Sequence, residues 1–149
     1  MLSLFKKRRL RTARCLLTDG DHHLLVIHAG GGRDRSPRWG LPGGHIDLGE
    51  QPEAAVRREL FEELELEVSD LEEIGDWHFR GGWHRVYTAS LPAPILRFDR
   101  GELLDIGWHS LDAVASFAQR DMLHAGYEID VVRQLRGPVM MPGERRAAG

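Results

Sequence analysis

Residues Gly44 to Leu66 read GHIDLGEQPEAAVRRELFEELEL, and the fold of the chain turns on how that stretch is built. Pro52 suits the first turn of a helix, where its missing N–H loses no partner, so a helix is expected to start there. At about 100° per residue, Glu59, Glu62 and Glu63 then fall within one sector roughly 100° wide. Val56, Leu60 and Leu64 form a separate apolar stripe beside it, the face that packs on a core. Carboxylates spaced three and four residues apart on a helix repel one another by about 0.2–0.5 kcal/mol per pair. A lone acidic helix face is usually solvated surface. One kept beside a buried stripe gains from a cation that neutralises it, and several hard oxygen ligands suit Mg²⁺ or Mn²⁺, ions that serve phosphate substrates.

The spacing of the whole stretch resembles the Nudix box, G-x5-E-x7-R-E-U-x-E-E-x-G-U, with U an aliphatic residue. Gly44 opens it, Glu50 follows at the required distance, Arg58-Glu59-Leu60 matches R-E-U, Glu62-Glu63 matches E-E, and Leu66 supplies the last aliphatic. One position departs: Glu65 stands where the family has Gly. That glycine lies where the helix ends in a left-handed turn, so Glu65 implies either mild strain there or a helix one residue longer. The resemblance extends to Trp39-Gly40-Leu41-Pro42-Gly43 and to Gly107-Trp108-His109-Ser110-Leu111, and so covers the chain from about Arg11 to about Arg136.

That resemblance implies the Nudix fold, an α/β/α sandwich with a mixed sheet between helices, and hydrolysis of a phosphoanhydride with Mg²⁺ or Mn²⁺. Carried over residue by residue, it implies metal binding by Glu59, Glu62, Glu63 and the backbone carbonyl of Gly43. Arg58 would orient the carboxylates, and Glu50 would support the site without touching metal. The general base is Glu59 or Glu62, because members differ. Many members add an acid from a loop before the tryptophan-containing strand. Glu102 has the spacing to Trp108 that fits best, with Asp99 and Asp105 as rivals.

Working outward, 149 residues suffice for one domain with a real core, and the expected division is a basic N-terminus over 1–10, a domain over 11–137 and a disordered tail over 138–149. A formal net charge of −3 gives no general attraction to nucleic acid or acidic membranes. Lys6 to Arg11 is a local basic cluster, read as a solvated terminus rather than a nucleic-acid arm. The single cysteine, Cys15, sits in an apolar run and reads as a core thiol, which with the lack of a secretory pattern leads us to expect a cytoplasmic protein. No stretch approaches the ~20 apolar residues that span a bilayer. Expected partners are therefore a small-molecule nucleotide, with no membrane, nucleic acid disfavoured, and a homodimer left open.

Thr12–Leu17 and Leu24–His28 read as a hairpin about Asp19-Gly20-Asp21, and Trp77–Arg80 and Trp83–Ala89 as a second about Gly81-Gly82. A strand is expected around Ile106–Trp108 after an acidic loop over Asp99–Asp105. Ser110 should cap a short helix from Leu111, and a longer helix is expected over Met122–Leu135. Arg33 and Arg35 in a glycine-rich loop, with Arg38, are candidates for touching a phosphate chain, and Trp39 for stacking on a base. Within the implied class, a nucleoside triphosphate pyrophosphohydrolase releasing a monophosphate and pyrophosphate comes first. ADP-ribose or nucleoside diphosphate sugars come second and dinucleoside polyphosphates third. A non-catalytic nucleotide-sensing module is the competing class, and intact box carboxylates argue against it.

Overall fold

The computed structural model describes residues 9–30, 37–91 and 93–136. Among these described residues, six strands and three helices follow in the order β1 (Leu10–Thr18), β2 (His23–His28), β3 (Gly43–His45), α1 (Pro52–Leu64), β4 (Glu72–Phe79), β5 (Gly82–Ser90), β6 (Leu103–His109), α2 (Leu111–Gln119) and α3 (Glu128–Arg136). They build one mixed sheet in the order β4-β5-β1-β2-β6, with β3 added to β1. β1 and β5 run parallel, and the other pairs are antiparallel.

Alternation along the strands sorts the core into two layers. Ala13, Cys15 and Leu17 of β1 pack with Leu24, Val26 and the apolar stripe of α1: Ala55, Val56, Leu60 and Leu64. Leu16, Leu25 and Val86 point the other way, onto Val114 of α2 and Ile129, Val131 and Val132 of α3. The sheet therefore lies between α1 and the α2–α3 pair, the α/β/α arrangement expected from the sequence. Cys15 is fully buried there, and burial pushes its thiol pKa far up, away from reactive thiolate.

A fork in the sheet positions the site. β1 meets β2 only near its end, at Thr18 and His23, whereas its first half pairs Thr12, Ala13 and Arg14 with His45, Gly44 and Gly43 of β3. The diverging strands are bridged by the segment between them: Gly40 pairs with Val26, and the Cys15 N–H donates to the Pro42 carbonyl at 2.9 Å. Gly43 and Gly44 are thereby wedged against β1, directly ahead of α1.

The helix α1 starts at Pro52, as expected, and stops at Leu64 because Glu65 takes a left-handed conformation with φ 55° and ψ 34°. Of the two exits that the sequence left open, the strained one is present. An exposed ion pair from Arg97 Nε to Glu65 Oε2 at 2.6 Å accompanies it, and such pairs contribute little. Glu65→Gly should therefore raise stability by about 0.5–1 kcal/mol, read as a higher denaturant midpoint at unchanged slope. An unchanged or lower midpoint would show that the ion pair outweighs the backbone strain.

Three boundaries differ clearly from expectation, the first being β4, which begins at Glu72 rather than Trp77 because its pairing with β5 runs back to Glu72 and Thr88. α3 begins at Glu128 rather than Met122, because residues 121–127 are committed elsewhere: Leu123 bridges to Trp39, Gly126 has φ 95°, and the Glu128 carboxylate accepts the Ala125 and Gly126 N–H groups at 3.0 and 2.7 Å. β6 begins at Leu103 rather than Ile106, because pairing with β2 extends to His28. Ser110 caps α2 as expected, accepting the Ala113 N–H at 3.2 Å. Among the described residues, no helix is long and apolar enough to cross a membrane. The expected tail, most of the basic N-terminus, Arg33 and Arg35 lie outside the described residues.

Candidate active site

A cavity of about 460 Å³ opens where the forked strands, α1 and the 99–102 loop meet. Its borders divide by charge. Glu59, Glu63, Glu102 and Asp47 supply carboxylates, while Arg14, Arg38 and Arg80 supply guanidinium groups. Acids and arginines bordering one cavity suit an anionic ligand carried with a cation.

Glu63 is the innermost acid, 1% exposed. Its Oε1 accepts the Gly43 N–H at 2.7 Å, and its Oε2 lies 3.2 Å from His28 Nδ1. Glu59, one helical turn earlier, is half-buried. Burial first, and then the nearby Glu63 charge, push its pKa up, against the pull of Arg58. Arg58 is the hub of the outer acids. Its Nε and Nη2 grip Glu50 at 2.9 and 3.0 Å, and its Nη1 reaches Glu59 at 3.1 Å and Glu62 at 3.2 Å. That two-pronged contact, helped by the Asp47 N–H, holds the Glu50 carboxyl down at about 2 and raises the Arg58 pKa further.

Two glycines let these groups approach. Gly43 has φ 132°, and a Cβ there would lie 2.3 Å from the Ala13 carbonyl oxygen. A Cβ on Gly44 would lie 2.6 Å from the Glu59 carboxyl carbon. The carboxylate packs where any side chain at Gly44 would sit.

Of the residues singled out in the sequence, Glu59, Glu63, Gly43, Glu102 and Arg38 border the cavity together. Asp99 and Asp105 do not. The Asp99 carboxylate is turned back on its own loop, accepting the Gly101 N–H at 2.7 Å, and the Asp105 carboxylate accepts the Ile106 N–H at 2.8 Å. Glu62 lies outside the cavity wall, exposed beside Arg58. Trp39 does not border the cavity, and its indole packs edge-on to His109 at 4.6 Å and parallel to Phe117 at 6.0 Å. Arg38 is anchored to Asp121, donating to its carbonyl at 2.6 Å and its carboxylate at 3.2 Å. The sequence reading missed Arg14, His28, Arg80 and His124, which also border the cavity. Only Arg14 carried a signal, as a charged residue inside the apolar run of β1.

The cavity carboxylates and the Gly43 carbonyl are hard oxygen donors, which fit Mg²⁺ or Mn²⁺. Among the described residues, no three His, Cys, Asp or Glu side chains converge tightly enough to hold an ion as they stand.

Comparison with known proteins agrees with this geometry. A family model described as NUDIX domain matches residues 8–129. The NAD-capped RNA hydrolase NudC of Pseudomonas aeruginosa is 36% identical over 120 residues, covering 72% of this chain but 38% of that protein. The chain thus spans well under half the length of that relative. A Mycobacterium tuberculosis protein that bears the name 8-oxo-dGTP diphosphatase 2 as a provisional assignment is 59% identical over 39 residues, 26% of this chain and 27% of its own. Among solved structures, the NUDIX domain of Shewanella oneidensis NrtR complexed with ADP ribose superposes with a TM-score of 0.66 at 25% identity, over 90% of each chain.

Proposed function

The chain belongs to the Nudix family, and on that premise we propose that its cavity hydrolyses the diphosphate linkage of a nucleotide in the presence of Mg²⁺ or Mn²⁺. The observation that carries this reading is that Glu59, Glu63 and Glu102 border one cavity together with Arg14, Arg38 and Arg80. The carboxylates and the Gly43 carbonyl would hold the ion, the acids turning inward about their side-chain bonds. When bound, the ion takes up charge developing on the phosphoryl oxygens. Arg38, fixed by Asp121, offers its guanidinium to the phosphate chain. Glu59 is the better-placed base of the two candidates, because it borders the cavity. Glu62 stays tied to Arg58 at the rim.

Within that reaction, a nucleoside triphosphate is the preferred substrate. Water adds to one phosphorus, the bridging P–O bond breaks, and a monophosphate and pyrophosphate leave. The second reading, ADP-ribose or another nucleoside diphosphate joined to a sugar, is favoured by the ADP ribose held in the NrtR domain. NudC, named for NAD-capped RNA, adds an RNA end to the substrates worth testing. The experiment is a panel of nucleoside triphosphates including 8-oxo-dGTP, ADP-ribose, a dinucleoside polyphosphate and NAD-capped RNA, with product analysis. Pyrophosphate release from a triphosphate is expected, abolished by chelator and restored by Mg²⁺ or Mn²⁺. Faster cleavage of ADP-ribose or the RNA cap would replace the triphosphate reading. Full turnover in excess chelator would overturn the metal, and binding without any cleavage would mark a sensing module.

A further inference from the structure

Arg14 on β1 and His28 at the end of β2 belong to no motif of the sequence, yet they close a ring around the innermost acid. Arg14 Nη1 donates to the carbonyls of Gly43 at 3.1 Å and Leu41 at 3.2 Å, and lies 2.9 Å from His28 Nε2. Leu41 O is also 3.0 Å from that nitrogen. His28 Nδ1 is 3.2 Å from Glu63 Oε2, and Glu63 Oε1 accepts the Gly43 N–H at 2.7 Å. The contacts run from Gly43 through Arg14, His28 and Glu63 back to Gly43. A carboxylate only accepts, so His28 Nδ1 carries the proton that faces Glu63. Arg14 is 8% exposed and Glu63 1%.

Both ends of Glu63 are thereby anchored. One bond to the Gly43 N–H would leave the carboxylate free to pivot; the second, from His28, fixes its plane. A carboxylate offers about four lone-pair sites and a carbonyl two, so the ring leaves part of the capacity of Glu63 and of the Gly43 carbonyl for a ligand. Apolar residues would fill the same volume at no desolvation cost, so a buried charged ring bordering a cavity needs a role beyond packing. We propose that Arg14 and His28 are positioning residues, which lock the Glu63 carboxylate and the Gly43 carbonyl in fixed register for a divalent cation. The inference rests on the hydrolase reading above.

The test uses Mn²⁺ binding to the full chain, followed by loss of the free-ion electron paramagnetic resonance signal, beside kcat and thermal unfolding without ion. Asparagine places an amide N–H near the position of Nδ1, and glutamine near that of Nε2. His28→Asn should keep Mn²⁺ affinity within a few-fold of wild type, whereas His28→Gln should lose about 10–100-fold. Adding Glu63→Gln to His28→Gln should cost no more than Glu63→Gln alone, because both act through one carboxylate. Equal behaviour of the two His28 variants, whether both bind like wild type or both fail, would overturn the positioning role, as would full additivity with Glu63→Gln. A wild-type chain that neither binds Mn²⁺ nor cleaves any nucleotide would instead sink the hydrolase reading itself.

Discussion

Glu59→Gln is expected to lower kcat by at least about 10²-fold, about 2.7 kcal/mol, while leaving the chain folded. The substitution keeps the shape that fills the space beside Gly44 but removes both the basic lone pair and the charge. Glu62→Gln should cost about 10-fold or less, because that carboxylate lies outside the cavity and is held by Arg58 at 3.2 Å. Stability without divalent ions should move the opposite way. Burial and Glu63 raise the Glu59 pKa above its ordinary 4.5, so the native state holds this proton more tightly than the unfolded chain. The native state therefore loses stability as pH climbs through 4.5 towards the raised value, and Gln, which has no proton to lose, escapes that loss. In chelator, the variant should unfold like wild type below pH 4.5 and at a higher temperature than wild type near neutrality. A rate loss for Glu62→Gln equal to that for Glu59→Gln would reverse the assignment of the base. Equal melting at all pH values would mean that Arg58 already neutralises Glu59.

Much of this site is local in sequence, and that part was legible. Glu59, Glu62, Glu63 and Arg58 sit on one helix, where the spacing alone sets which side chains neighbour which. Pro52 marked its start, and Glu65 marked the exit that proves strained. Glu102 was separable from Asp99 and Asp105 only by distance to Trp108; in the fold, Asp99 accepts an N–H of its own loop, and Asp105 accepts the N–H of the next residue on β6. What the sequence hid depends on tertiary pairing. Arg14 meets Gly43 because β1 forks and takes β3 as a partner, and His28 meets Glu63 because β2 ends at the same level. No periodicity carries such a contact. The surroundings of Trp39 were hidden for a related reason, since Phe117 of α2 packs parallel to its indole. The late start of α3 has a similar origin, since the Trp39–Leu123 bridge claims residues that a helical pattern would otherwise take.

The adjacent glycines should respond to alanine in opposite ways, and the contrast separates fold from chemistry. At Gly43, φ is 132°, and the new Cβ would meet the Ala13 carbonyl oxygen at 2.3 Å and the Arg14 Cα at 2.8 Å. Both obstacles are backbone of a central strand, so neither can yield. Gly43→Ala should cost about 3 kcal/mol or more, from backbone strain and overpacking together. Gly44 is free of positive φ, and the atoms nearest its Cβ would be those of the Glu59 carboxylate, the carboxyl carbon at 2.6 Å. That obstacle is the end of a flexible side chain with the cavity beside it. Gly44→Ala should therefore stay within about 1 kcal/mol of wild type, yet lose about 10²-fold in kcat, since a displacement of about 1 Å at a reacting group has that effect. Denaturant midpoints and single-turnover rates on the two variants decide the matter. Wild-type rates in a folded Gly44→Ala would show that the position of Glu59 is immaterial to the reaction, and the role given to that carboxylate would fall. Unfolding of both variants alike would mean that the β1–β3 pairing, rather than the acid behind it, is what the second glycine protects.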